Sequence, residues 1–524
     1  MGLAAELPTH AEAGPDRETA GGGRLHAVGN RDGAAEHDGA TQREVSVMAK
    51  QRIPLVGSLI NRVASSGNVS TSSDQFFQNC FPEVSKNAVS GQARADLVKR
   101  FGGALIYTFA SAGYTGQMGA CFWSGRSTST NQYIYSLYSS GAGKVKVYDS
   151  GNTQVGGDIT CNICLSITET KVTNTAWLVA IVLNTAGTMH EAYYFPEAGA
   201  WTKIADADFP PNAGTPVFLV GDPVHKDGYM FVMDYYGKIW NSDLNDPTSW
   251  TSTSFIEASN SPDLGSGIAP CGDLIAAFGL KTIQFFQNTG NATGSPLTRI
   301  PKTINIGVSN LTSGAFRQVL PVGDAVYFVG FNPVSSTRHF YKLIGTDAVP
   351  VSNTAVNKFL NDSQYSKGFT AHIVGVIFHQ GMSHILMRSY SSTLHYAYCI
   401  ETGVWWEFIS ATIDAPAVAL GSGIINGRVL YGATGTSFQD DSTPFTMTAQ
   451  TQPIDHGTDN LKECTAFRLI GDTQTTAGNV GVSYSDNDYS SFSTAKNIDM
   501  TLQQKKLDAG LGWFRRRSWK ITET

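Results

Sequence analysis

Charge is what this sequence has least of. Asp, Glu, Lys and Arg make up 15% of its 524 residues, against roughly 25% in an ordinary soluble domain. Ser, Thr, Asn and 54 Gly stand in their place, giving the polar but weakly charged surface expected of a durable extracellular or virion protein. A net charge of −6 offers no bulk attraction for phosphate, which argues against a dedicated nucleic-acid binder. Duplex DNA passing nearby would slide rather than stick. Long apolar runs are missing as well. None approaches the roughly 18 residues of a membrane-spanning helix, and the N-terminus has no signal-peptide core. The expectation is a chain made in the cytoplasm, not inserted in a membrane, and soluble until it assembles.

Cysteine is scattered and odd in number, seven, which does not suggest a secreted disulfide framework. The one C-x-x-C, Cys161 and Cys164, lacks the second pair or neighbouring helix that a zinc or redox centre wants. Both are expected to be small buried residues on a strand. No G-x-S-x-G, H-E-x-x-H or G-x-x-x-x-G-K-[ST] pattern occurs. The Gly-rich NTGNATGS of residues 288–295 has no helix after it to make a phosphate loop. His372, His379, His384 and His395 crowd one region, but seven residues on one continuous strand put His372 and His379 on opposite faces. Metal chemistry needs ligands that converge. The chain is therefore expected to be no enzyme, with no cofactor and no metal.

What the chain does have is short aromatic or β-branched runs separated by Asp, Asn, Pro, Gly and Ser clusters. Residues 236–296 show this best, with runs at Lys238–Trp240, Leu274–Phe278 and Thr282–Phe286. Strand-like runs open near residues 104, 177, 229, 274, 325, 384 and 428, and a spacing of roughly 40–50 residues is that of four-stranded propeller blades. The longer first interval reads as holding an extra hairpin, Asn131–Gly151. The predicted fold is all-β: an irregular β-propeller of about six or seven blades with an additional terminal β-domain.

Around that centre the composition changes. Residues 1–47 are rich in Ala, Gly, Glu, Asp and His and nearly without aromatics, too poor in apolar surface to offset the entropy of ordering. They are expected to be disordered or an over-extended start, Met48 opening the natural chain; an arm that orders on assembly is the other reading. Residues 48–102 lead into the first blade, 103–450 form the propeller, and 451–524 supply a C-terminal β-domain or closing strands. There Cys464–Asp472 and Asn479–Ser493 read as sandwich-type strands.

Several side chains invite a role. The turn SDLNDPTSW and the hairpin YSDNDYSSF resemble the Asp-box of sialidase-type propellers, so Asp243, Asp246, Trp250, Asp263, Asp486 and Asp488 are expected to be structural turn residues. A sialidase would also need an arginine triad, which is not visible. Arg515, Arg516 and Arg517, with Lys520 and flanking tryptophans, could touch DNA by phosphate pairing and stacking. On a strand, alternation sends Arg515 and Arg517 to one side and Arg516 to the other, which favours salt bridges within the subunit or across an interface. Trp405 and Trp406 are expected in a blade core with one ring exposed to a partner. Together these six form the interface or channel candidates.

The order of motifs resembles one family, the packaged-DNA stabilisation or tail-hub (nozzle) proteins of short-tailed bacteriophages. Its pattern is similar to Gln78-Asn79-Cys80-Phe81-Pro82-Glu83 near the N-terminus, to Ser242–Trp250, Ser261–Asp263, Gly272–Gly279 and Thr282–Gly290 in the middle, and to Leu511–Thr522 at the end. The resemblance implies a homo-oligomer, a hexamer, in the virion tail. That ring would sit below the portal–adaptor complex, close the head after packaging, extend the channel for double-stranded DNA, seat the tail needle or plug, and help anchor tailspikes or fibres. The alternatives are a tail-associated glycosidase or carbohydrate-binding β-propeller, and a bacterial surface adhesin.

Overall fold

The computed structural model describes residues 76–523, leaving out 87–92, 100, 109–115, 125–130, 140–141, 150, 152, 174, 198, 214–216, 292, 309–317, 362–370, 380, 390–394, 409–435, 445, 456, 470–472, 476–477 and 508–509. The expected extension 1–47, the start of the 48–102 segment and the strand-like run Arg428–Tyr431 lie outside the described residues.

Among the described residues, six successive antiparallel blades follow one another along the chain. The first contains strands 116–124, 131–139, 142–149 and 154–161; the second 163–172, 175–183, 190–196 and 202–203; the third 219–226, 229–234, 238–243 and 246–257; the fourth 265–271, 274–279, 283–288 and 297–304. The fifth has its innermost strand split into 307–308 and 319–322, followed by 325–332, 337–344 and 347–350. The sixth comprises 371–379, 382–389, 395–399 and 405–408. The protein is an all-β propeller. Five of the seven run starts read from the sequence fall in the second strand of a blade. The supposed extra hairpin at Asn131–Gly151 is the second and third strands of blade one, so it belongs to the repeat.

The second strands explain how the blades hold together. Neighbouring side chains on a strand point to opposite faces, and here both faces are buried. In blade two, Ala176, Leu178, Ala180 and Val182 pack against blade one, while Val179 and Ile181 pack against blade three. Met230 and Val232 of blade three turn back toward blade two, and Phe231 and Met233 turn on toward blade four. Blade four repeats this with Ile275 and Ala277 one way and Ala276 and Phe278 the other. Blade five does so with Val326 and Phe328, then Tyr327 and Val329. A short helix, Thr354–Asn361, adds Val356, Phe359 and Leu360 to the core between blades five and six.

Segments that flank the blades pair with one another. Phe101–Thr108, ahead of blade one, pairs antiparallel with Thr436–Pro444, beyond blade six. Phe76–Gln78 lies between Trp405–Phe408 and Met447–Gln450, so blade six continues into the C-terminal strands 518–523, 479–485 and 496–499. Of the sandwich-type strands expected at Cys464–Asp472 and Asn479–Ser493, the described residues show a two-residue ribbon at Phe467–Arg468 and one strand, Asn479–Ser485, residues 470–472 lying outside them.

Gly307 shows how tightly blades four and five approach. A Cβ there would lie 1.9 Å from the Leu280 carbonyl oxygen and 2.3 Å from the Lys281 nitrogen. That turn cannot yield, because the Asp263 carboxylate accepts hydrogen bonds from the Lys281 and Thr282 amides, both at 2.8 Å. Gly307→Ala is expected to lower the unfolding free energy by about 2–3 kcal/mol in urea titrations. Gly510→Ala, where a Cβ meets nothing within 4 Å, should leave it unchanged.

Candidate functional site

The Asp-rich turns are built by short chains of acceptors. Leu244 and Asn245 form the loop between the paired residues Asp243 and Asp246, with Asn245 in the left-handed region at φ 58°. Asp246 accepts from the Thr248 amide at 2.9 Å and Asp243 from the Ser249 hydroxyl at 2.7 Å. Trp250 is buried beneath. Its indole donates to the Pro247 carbonyl at 3.0 Å and its amide to Asp206 at 3.0 Å. Asp263 accepts the Leu264 amide beside it at 3.0 Å with one oxygen and spans with the other to the Lys281 and Thr282 amides.

Two acceptors went unremarked in the sequence. Asp234, fully buried, takes the Tyr236 and Lys238 amides, both at 2.9 Å, and the Trp240 indole at 3.1 Å. Asp149 takes the Gly151 and Thr153 amides. The readable signal is an Asp at a strand end with Gly two or three residues on. Asp234 fixes a turn that presents Tyr235 and Tyr236 beside Phe218, whose carbonyl accepts the Tyr235 amide at 2.9 Å. Tyr236 and Phe218 are exposed. Phe218 also meets His190 edge-on at 5.0 Å, and burial pushes that imidazole down to about 4, so it stays neutral and accepts the Leu219 amide at 2.9 Å.

The C-terminal arginines part company. Arg517, 1% exposed, donates through Nε and Nη2 to the two Asp486 oxygens at 2.7 and 2.8 Å. Its guanidinium also lies 3.9 Å from the Tyr484 ring centre and 4.2 Å from that of Phe514. Arg515 and Arg516 are both exposed, the first donating to the Asp459 carbonyl at 2.7 Å and the second paired with Asp488. The expected alternation fails because residues 515 and 516 form a bend between the strand pieces 513–514 and 518–523. Asp486 is thus the counter-ion of a buried guanidinium, while Asp488 sits in a turn at φ 54°. Lys520 lies over the Phe492 ring at 5.3 Å.

Trp405 and Trp406 pack in the interior of blade six, and neither ring is exposed as one was expected to be. Both are buried, Trp405 donating to the Val351 carbonyl at 2.8 Å and Trp406 to His384 Nδ1 at 3.2 Å. The reason is that each face of that strand is covered, so neither ring reaches a partner. What remains exposed nearby in chemistry is Trp513, at 60%, with Leu461 at 57%. Cys161 and Cys164 are buried on strands, and burial pushes the Cys161 thiol up to about 12. Among the described residues no group of three or more His, Cys, Asp or Glu converges as a metal site.

A family model described as bacteriophage P22 Gp10, β-propeller, matches residues 115–405, a span running from the first strand of blade one into the last of blade six. No curated protein matches the chain. Solved structures similar to it include the AfRom2 CNH domain, 11% identical over 48% of this chain and 66% of that one, with a TM-score of 0.26. Others are the computationally designed Ika8 protein, 8% identical over 64% and 99% with a TM-score of 0.34, and Saccharomyces cerevisiae Sqt1, 7% identical over 72% and 97% with a TM-score of 0.32.

For the Arg517 centre, breaking a buried pair leaves an uncompensated charge. Asp486→Asn, with Asp486 itself a third exposed, is expected to cost about 2–3 kcal/mol in urea unfolding. Arg516→Ala, on an exposed pair, should change stability by less than about 0.5 kcal/mol.

Proposed function

This chain belongs to the phage stabilisation family described as bacteriophage P22 Gp10, β-propeller, and from that premise we propose that it is a structural part of the virion tail. Several copies pack side by side into a ring, a hexamer, beneath the portal–adaptor complex. The ring closes the filled head, prolongs the channel through which DNA leaves, and seats the tail needle and tailspikes or fibres. Its mechanism is steric and mechanical, with no reaction performed.

The family match across all six blades is the observation that carries this reading. Its physics is consistent with such a role. Blades cemented by cores on both faces resist deformation, and a closed ring multiplies modest contacts by copy number. The low charge and net −6 leave passing duplex DNA weakly repelled.

Negative-stain microscopy of the protein mixed with its cognate portal–adaptor complex tests this. The expected image is an annular cap at the distal end of every complex. Bare complexes, together with turnover of a capsular sugar by the free protein, would replace this reading with a glycosidase.

A further inference from the structure

Among the described residues, every strand pairing between the propeller and the C-terminal sheet passes through three residues. Phe76–Gln78 runs parallel to the last strand of blade six, with Gln78 opposite Glu407, and antiparallel to Met447–Gln450 on its other side. No described strand of the C-terminal sheet pairs directly with a blade.

The residues that follow lock this strand in place. Asn79 turns the chain at φ 55°, in the left-handed region that Asn tolerates better than most residues. Its amide donates to the Glu407 carbonyl of blade six at 2.8 Å, and its side chain donates to the Thr446 carbonyl at 3.0 Å. One residue therefore grips the propeller with its backbone and the C-terminal segment with its side chain. The Cys80 thiol donates to the Thr448 carbonyl at 3.6 Å. Phe81 is fully buried, its ring 4.3 Å from His384 and 5.7 Å from Trp406 of blade six. Farther on, Lys99 approaches Glu523 of the last strand at 4.0 Å.

We propose that Phe76–Phe81 is a clasp: engaged, it couples the C-terminal domain to the propeller; released, it frees that domain while the blades stay folded. Among the described residues, the five cores between successive blades contain none from this segment, so disengaging it leaves those cores intact. Phe77, Asn79, Cys80 and Phe81 are buried, but the paired strand is only three residues long, and local opening of so short an element costs less than unfolding the blades it joins. Load or binding on the C-terminal domain then reaches the propeller through this strand and the covalent chain. The inference does not depend on ring formation.

Hydrogen exchange on the full-length protein tests it, comparing the unaltered chain with Phe81→Ala and Asn79→Gly. In Phe81→Ala, exchange in residues 76–81, 405–408 and 447–450 should rise about tenfold or more, as a sub-global opening does, with the second strands of blades three and four unchanged. Asn79→Gly keeps the left-handed backbone and removes one hydrogen bond, so it folds and should raise exchange in the same segments about fivefold. Should Phe81→Ala misfold, the Asn79→Gly result decides alone. Equal acceleration in the blade strands, or none in the clasp segments, would overturn the proposal.

Discussion

A blade that is apolar on both faces cannot stand alone, and this constraint shapes everything else in the molecule. Phe231 and Phe278 each lie on a face whose neighbouring residues along the strand point into the opposite core. Every blade thus needs a partner on each side, and the order of blades in the chain becomes their order in space. Few polar contacts are required between blades, which is why so little charge suffices. Where backbones come closest, as at Gly307 against Leu280, even a methyl group has no room.

The same constraint governs what could be read from the sequence. Second strands were legible because burial on both faces writes an unbroken apolar run, as in TAWLVAIVL of residues 175–183 or YMFVMD of 229–234. The second strand of blade one, NQYIYSLYS, interleaves Ser and Gln with aromatics and so lacks the unbroken apolar run, which leaves the interval after residue 104 reading as longer than one blade. Split elements left no mark either. The inner strand of blade five is two short pieces, 307–308 and 319–322, neither long enough to show a period.

Side-chain roles were less legible, since they depend on partners far away in sequence. Asp243 and Asp246 act within their own loop and could be recognised there. Asp486 is set by Arg517, 31 residues on, and Trp406 is covered by Phe81 of the N-terminal segment. The arginine run misled because a bend at 515–516 interrupts the strand whose alternation was assumed. The N-terminal motif around Asn79 and Phe81 was visible as a motif, yet its place between blade six and the C-terminal sheet follows only from the pairing of distant segments.

A phage stabilisation propeller built this way should respond to stress as one body through its blades. The most direct test is native-state hydrogen exchange across a denaturant series, read in the second strands of blades two to five. Shared cores predict that residues 175–183, 229–234, 274–279 and 325–332 open together with a common free energy and a common denaturant dependence. A ladder of distinct values, blade by blade, would contradict the account.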